Sequence, residues 1–107
     1  MYAVIFRATV ANMDDDYIVT AQRMRELALS RFGCVEFVSA HEGDQELAIS
    51  YWESEEEIIA WRQHPEHLEA QAKGREFWYT DYSVEVAEVQ RAYGSNSLTD
   101  EQAGAVH

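Results

Sequence analysis

The run Trp61–Gln71, WRQHPEHLEAQ, gathers residue types that do chemistry: a tryptophan, His64, His67, Glu66 and Glu69. His64 and His67 stand three apart, which on a helix puts them on roughly one face. Such a set serves metal ligation, haem ligation, acid–base work or only a helix start. Zinc sites need a third protein ligand, and metalloprotease helices place their histidines four apart around a glutamate. The remaining histidines, His41 and His107, fall on a strand and in the tail. No metal site is expected. Pro65 suits a first helical position, which puts His64 at the N-cap and Glu66 in the first turn beside the positive dipole end. His67 is then the better general base, because imidazole titrates near neutrality.

A second group is aromatic: Tyr51, Trp52, Trp61, Phe77, Trp78, Tyr79 and Tyr82. Large rings are mostly core, but rings with polar tips also line pockets for flat ligands. Arg7 is the one charge in the first strand. It is placed to pair with Glu85 or Glu88 of the last strand, or to hold an anionic or carbonyl group of a ligand. Cys34 has no partner at recognisable spacing and reads as a small buried hydrophobe. Glycine-rich phosphate loops, GxSxG and CxxC are absent from the chain.

These residues are positioned by a simple order of elements. YAVIFRATV, Tyr2–Val10, is β-branched and aromatic and reads as a strand. NMDDD starts a helix that runs to Phe32, with Tyr17, Ile18, Ala21, Met24, Leu27 and Ala28 at helical spacing and Gly33 as its stop. Strands are predicted at Cys34–Glu42 and Glu46–Ser54, joined by a turn at GDQ. Ser54 and Glu57 form a capping box for a short helix carrying Ile58, Ile59 and Trp61. Pro65 restarts a helix to about Lys73, followed by Gly74, and Tyr82–Tyr93 is the last strand. The order β-α-β-β-α-β defines an α+β, ferredoxin-like antiparallel sheet over residues 1–94, with a small polar tail at 95–107.

The chain of 107 residues is one domain, and 47% hydrophobic residues suffice for a core. Nothing before Tyr2 resembles a signal peptide, and no apolar run approaches about 18 residues, so no membrane span is expected. A single cysteine allows no intrachain disulfide, which fits a cytoplasmic protein. The net charge of −12 repels phosphate backbones and anionic lipids, so nucleic acid and membrane surfaces are poor partners.

Helices can cover only one face of such a sheet, yet both faces read as apolar. Tyr2, Val4, Phe6 and Ala8 lie on one side, with Ala3 and Ile5 on the other beside Arg7. Leu47, Ile49 and Tyr51 oppose Ala48, Ser50 and Trp52. An uncovered apolar face marks an interface, and a two-fold homodimer through the sheet face is expected.

The stretch ISYWESEEEIIAWRQHPEHLEAQAKGREFWYTDYSVEVAEVQRAYG, Ile49–Gly94, resembles the antibiotic biosynthesis monooxygenase (ABM) family. The resemblance implies a dimeric α+β barrel, formed when two such sheets pack together. It also implies one of two chemistries. Some members oxidise anthrone-type polyketides with dioxygen and no metal or organic cofactor; others open haem. Haem-opening members use a tryptophan, matched by Trp61, a later histidine, and an asparagine in the first strand. Gln71 stands in the histidine's place, and Phe6 and Arg7 in the asparagine's, which speaks against haem.

The reading that follows is a cofactor-independent monooxygenase acting on a small phenol or quinol. Catalytic roles fall to His67, His64, Trp61 and Arg7, with Tyr51, Trp61, Trp78 and Phe6 around the substrate. The other reading is a non-catalytic, ligand-binding or stress-related dimer of the same fold, since fold alone does not decide activity.

Overall fold

The computed structural model describes residues 1–95. The polar tail beyond residue 95 lies outside the described residues. The elements are β1 (Tyr2–Val10), α1 (Asp15–Arg31), β2 (Glu36–Glu42), β3 (Gln45–Trp52), α2 (Glu55–Gln63), α3 (Pro65–Lys73), one π-helical turn (Gly74–Trp78) and β4 (Tyr79–Glu88). The strands form one antiparallel sheet in the order β2-β3-β1-β4, the ferredoxin-like arrangement.

Local chemistry explains where the helices begin. The Asp14 carboxylate accepts the Tyr17 N–H at 2.8 Å and caps α1. Ser54 Oγ accepts the Glu57 N–H at 3.3 Å and caps α2. His64 Nδ1 accepts the Glu66 N–H at 3.1 Å and caps α3, with Pro65 just inside. Two glycines take positive φ where the chain must turn: Gly33 (84°) after α1 and Gly43 (59°) in the β2–β3 hairpin.

Register decides which side chains share a face. Val4 lies opposite Ser50 and Val86, Phe6 opposite Ala48 and Val84, and Ala8 opposite Glu46 and Tyr82. This face meets the helices. Val4 and Trp52 pack there with Met24, Leu27, Ile58 and Trp61, while Ala8 and Val10 pack with Tyr17 and Trp78 in a second cluster. The odd-numbered residues of β1 and β3 point the other way, away from the helices.

Two strands differ in extent from the sequence reading. β2 starts at Glu36 because the Cys34 N–H is taken by the Ala28 carbonyl at the end of α1. β4 covers Tyr79–Glu88, not Tyr82–Tyr93. Its partner β1 runs out at the N-terminus, where Val89 N–H donates to the Met1 carbonyl. At the other end Val10 pairs with Tyr79 across a register shift, which recruits the start of β4. Gly74 does not terminate α3 with a left-handed residue. It is right-handed (φ −59°) and buried, and the Tyr79 ring occupies the space a Cβ would need.

Candidate active site

A cavity of about 360 Å³ lies between the helix-side face of the sheet and the three helices. That size takes a small organic molecule. Val4, Phe6, Ala48, Ser50 and Val84 form its sheet side, and Tyr17, Met24 and Arg25 of α1 form one wall. Trp61 and Arg62 of α2 with His67 and Gln71 of α3 form another, and Tyr79, Tyr82 and Glu46 also line it. Ser50 and Glu46 are four residues apart on β3, so the two ends of the cavity are about 13 Å apart along the strand.

Trp61 anchors the first end. Helical spacing buries Ile58 and Trp61 on the core side of α2. The indole Nε1 donates to the Met24 carbonyl at 3.1 Å, tying α2 to α1. Trp52 stacks obliquely at 5.1 Å between ring centroids, and His67 meets the Trp61 ring edge-to-face at 4.4 Å. The Trp52 indole in turn donates to Ser50 Oγ at 2.8 Å, on the sheet side. Gln71 Nε2 lies 3.1 Å from the Arg62 carbonyl oxygen and 2.8 Å from His67 Nδ1. Burial, reinforced by the Arg62 charge and by His64, lowers the His67 pKa to about 4, with only its own carbonyl opposing. His67 is therefore neutral at physiological pH. Arg25 sits 6.0 Å over the Phe37 ring, and neither Arg25 nor Arg62 makes an ion pair among the described residues.

The second end is acidic and phenolic. Tyr79 packs against Phe6 (5.5 Å), Tyr17 (6.0 Å) and Tyr82 (5.8 Å). Burial raises the Tyr17 hydroxyl well above its ordinary range, with the charges of Tyr79 and Glu46 adding to it. Tyr79 is pushed up to about 12, chiefly by burial, with Tyr17 opposing and Glu46 adding. Burial also raises the Glu46 carboxyl above the usual carboxylate range, partly offset by His41 across the β2–β3 ladder. Glu46 is the only carboxylate lining the cavity among the described residues.

The residues singled out from sequence divide cleanly. Phe6, Trp61 and His67 line the cavity together. Tyr51 and Arg7 do not, because each sits one residue from a cavity-facing neighbour and so points to the opposite side of the sheet. Arg7 pairs there with Glu85 at 3.2 Å, both side chains more than half exposed. Trp78 is core, packed edge-on against Tyr17 at 5.3 Å. His64 is spent on the α3 cap and stacks edge-on against Phe32 at 5.6 Å. Sequence reasoning missed Glu46, Arg25, Arg62 and the role of Tyr17. Strand parity signalled Glu46, since it shares its side with Ala48, Ser50 and Trp52.

The chain is thus a ferredoxin-like α+β domain with a cavity of small-molecule size under its helices. Residues 1–73 match the family model described as antibiotic biosynthesis monooxygenase, and the chain belongs to that ABM family. The match takes in β1 and α1 and ends at residue 73, whereas the sequence motifs resemble the family most over Ile49–Gly94. Over 91 residues the chain is 43% identical to the uncharacterized protein YqjZ of Bacillus subtilis, spanning 84% of this chain and 80% of that protein. It is 29% identical over 102 residues to the jasmonate monooxygenase ABM of Pyricularia oryzae, which covers 92% of this chain but only 47% of that protein. The fold superposes on SnoaB, a cofactor-independent oxygenase from Streptomyces nogalater, with a TM-score of 0.71 at 15% identity, over 85% of this chain and 94% of that one.

Proposed function

We propose that the cavity binds a small phenol or quinol and that the protein catalyses its monooxygenation by dioxygen, without metal or organic cofactor. The observation that carries this reading is Glu46, the one carboxylate among the described lining residues, its pKa raised by burial at the end of the cavity lined by Tyr17, Tyr79 and Tyr82. Such a group is a general base suited to a phenolic proton. The phenolate then reduces dioxygen, and the resulting hydroperoxide loses water to leave a quinone. One oxygen atom enters the product and the other leaves as water, so the substrate supplies all the electrons. Phe6, Met24 and Trp61 supply apolar walls that keep water from the intermediate. The Pyricularia oryzae relative, a jasmonate monooxygenase, and SnoaB, a cofactor-independent oxygenase, support an oxygenase reading.

A panel of naphthols and anthrones under air tests this. Saturable oxygen uptake with quinone formation is expected. Saturable binding without oxygen uptake would identify a ligand-binding protein instead.

The assembly we propose is a homodimer through the sheet face turned away from the helices. Leu47 and Val38 are 39% and 48% exposed there, beside Ile5, Ile49 and Tyr51. An apolar patch of this kind on a sheet suits a symmetric partner. Ile49 lies opposite both Ile5 and Val38, at the middle of the face. Ile49→Glu is expected to convert a dimer into a monomer at micromolar concentration, read by sedimentation equilibrium. A wild-type monomer would sink the assembly.

A further inference from the structure

We infer that Gln71 holds neutral His67 as the Nε2–H tautomer, so that His67 offers the cavity a hydrogen-bond donor and not a base. The Arg62 carbonyl oxygen can only accept, so the Gln71 side-chain atom 3.1 Å away must be the amide nitrogen. That same nitrogen lies 2.8 Å from His67 Nδ1. An amide nitrogen only donates, so Nδ1 accepts and carries no proton. In a neutral imidazole the proton then sits on Nε2.

Nε2 makes no hydrogen bond among the described residues, and no buried side-chain nitrogen or oxygen there lacks a partner. Nε2 is therefore not sealed off without a partner, and His67 lines the cavity. The edge-to-face packing on Trp61 holds the ring in place. The imidazolium form is opposed from three sides. Burial disfavours it most, Arg62 of α2 and His64 at the start of α3 add to that, only the His67 carbonyl favours it, and a protonated Nδ1 would face the Gln71 amide donor to donor. Arg25 of α1 lines the same end, and Glu46 stands at the far end of the cavity.

Gln71 is thus a positioning residue, acting through His67. The ligand group that fits is an acceptor oxygen beside Trp61, a carbonyl at the end of the ligand away from the phenol that faces Glu46. That last assignment rests on the oxygenase reading above; the tautomer does not.

Long-range proton–nitrogen correlation spectra of the isotope-labelled 107-residue chain at neutral pH test the inference, with His67→Gln assigning the signals. Wild type is expected to show Nε2 protonated and Nδ1 as a bare acceptor. Gln71→Glu keeps the shape but presents oxygen, so the proton is expected to move to Nδ1 and the His67 titration midpoint to rise. Gln71→Met, apolar and of similar length, is expected to give both tautomers if the glutamate variant does not fold. A wild-type Nδ1–H pattern, or a pattern unchanged in the folded variants, overturns the inference. Oxygen uptake with the phenol panel separates the two readings. Uptake with Nδ1 protonated leaves the oxygenase and removes the tautomer lock, while no uptake with Nε2 protonated does the reverse.

Discussion

Glu46→Gln is expected to slow oxygen uptake with a naphthol by about 100- to 10,000-fold, the usual worth of a positioned general base. That corresponds to roughly 3–5 kcal/mol of barrier. Glutamine keeps the shape and the hydrogen-bonding reach of the side chain but cannot take a proton. The pH profile follows from the direction of the Glu46 shift. Burial raises its pKa, so the working carboxylate is lost as pH falls through a value above the ordinary carboxylate range. The acid limb of the rate profile is expected there in wild type and to be gone in Glu46→Gln. Stability runs the other way. A carboxyl whose folded pKa is raised binds its proton more tightly in the folded state, so its ionisation disfavours the fold as pH rises through that value. Glu46→Gln is therefore expected to melt no lower than wild type at neutral pH. Full activity in this variant, or an acid limb that survives it, would remove Glu46 from the proposed chemistry.

Trp61→Ala is expected to cost about 3–5 kcal/mol of folding stability, as deletion of a buried large ring does. Trp61 is only 6% exposed and bridges the helices through its bond to the Met24 carbonyl. Its ring also supports Trp52 of the core and His67 of the cavity wall, so its removal opens a void beside the cavity and loosens both at once. Small domains are stable by only about 5–15 kcal/mol, so this one change removes a large part of the whole. Urea melts are expected to show a lower midpoint with little change in slope, and the midpoint temperature to fall by more than about 10 °C. Trp61→Phe keeps a ring and is expected to lose less. A Trp61→Ala protein within about 1 kcal/mol of wild type would show that the site relaxes to fill the void, contrary to the packing described.

The fold and half of the site can be read along the chain, and the reasons are local. Helix starts at Asp14, Ser54 and His64 follow from capping chemistry within three residues, and all three caps form. The turns at Gly33 and Gly43 follow from the need for positive φ. Alternation in β1 and β3 separates the two sheet faces, and pairing of Arg7 with Glu85 follows once β1 and β4 are neighbours. The same alternation, applied to the ligand residues, would have withdrawn Tyr51 and Arg7 and brought forward Glu46.

Other features have no local signature. The extent of β4 depends on where β1 ends and where its register shifts, not on the composition of β4 itself. Trp78 and Trp61 look alike in sequence, but one fills the core under Tyr17 and the other faces the cavity. By itself the sequence determined the element order, the caps, the apolar character of both sheet faces and the place of Trp61 on the buried side of its helix. These depend on neighbours a few residues apart. Only the tertiary structure decided that Glu46 of β3 meets Tyr17 of α1 and Tyr79 of β4, and that Gln71 reaches both Arg62 and His67. Those meetings depend on how three helices lie across one twisted sheet, a long-range geometry that no short window of the chain contains.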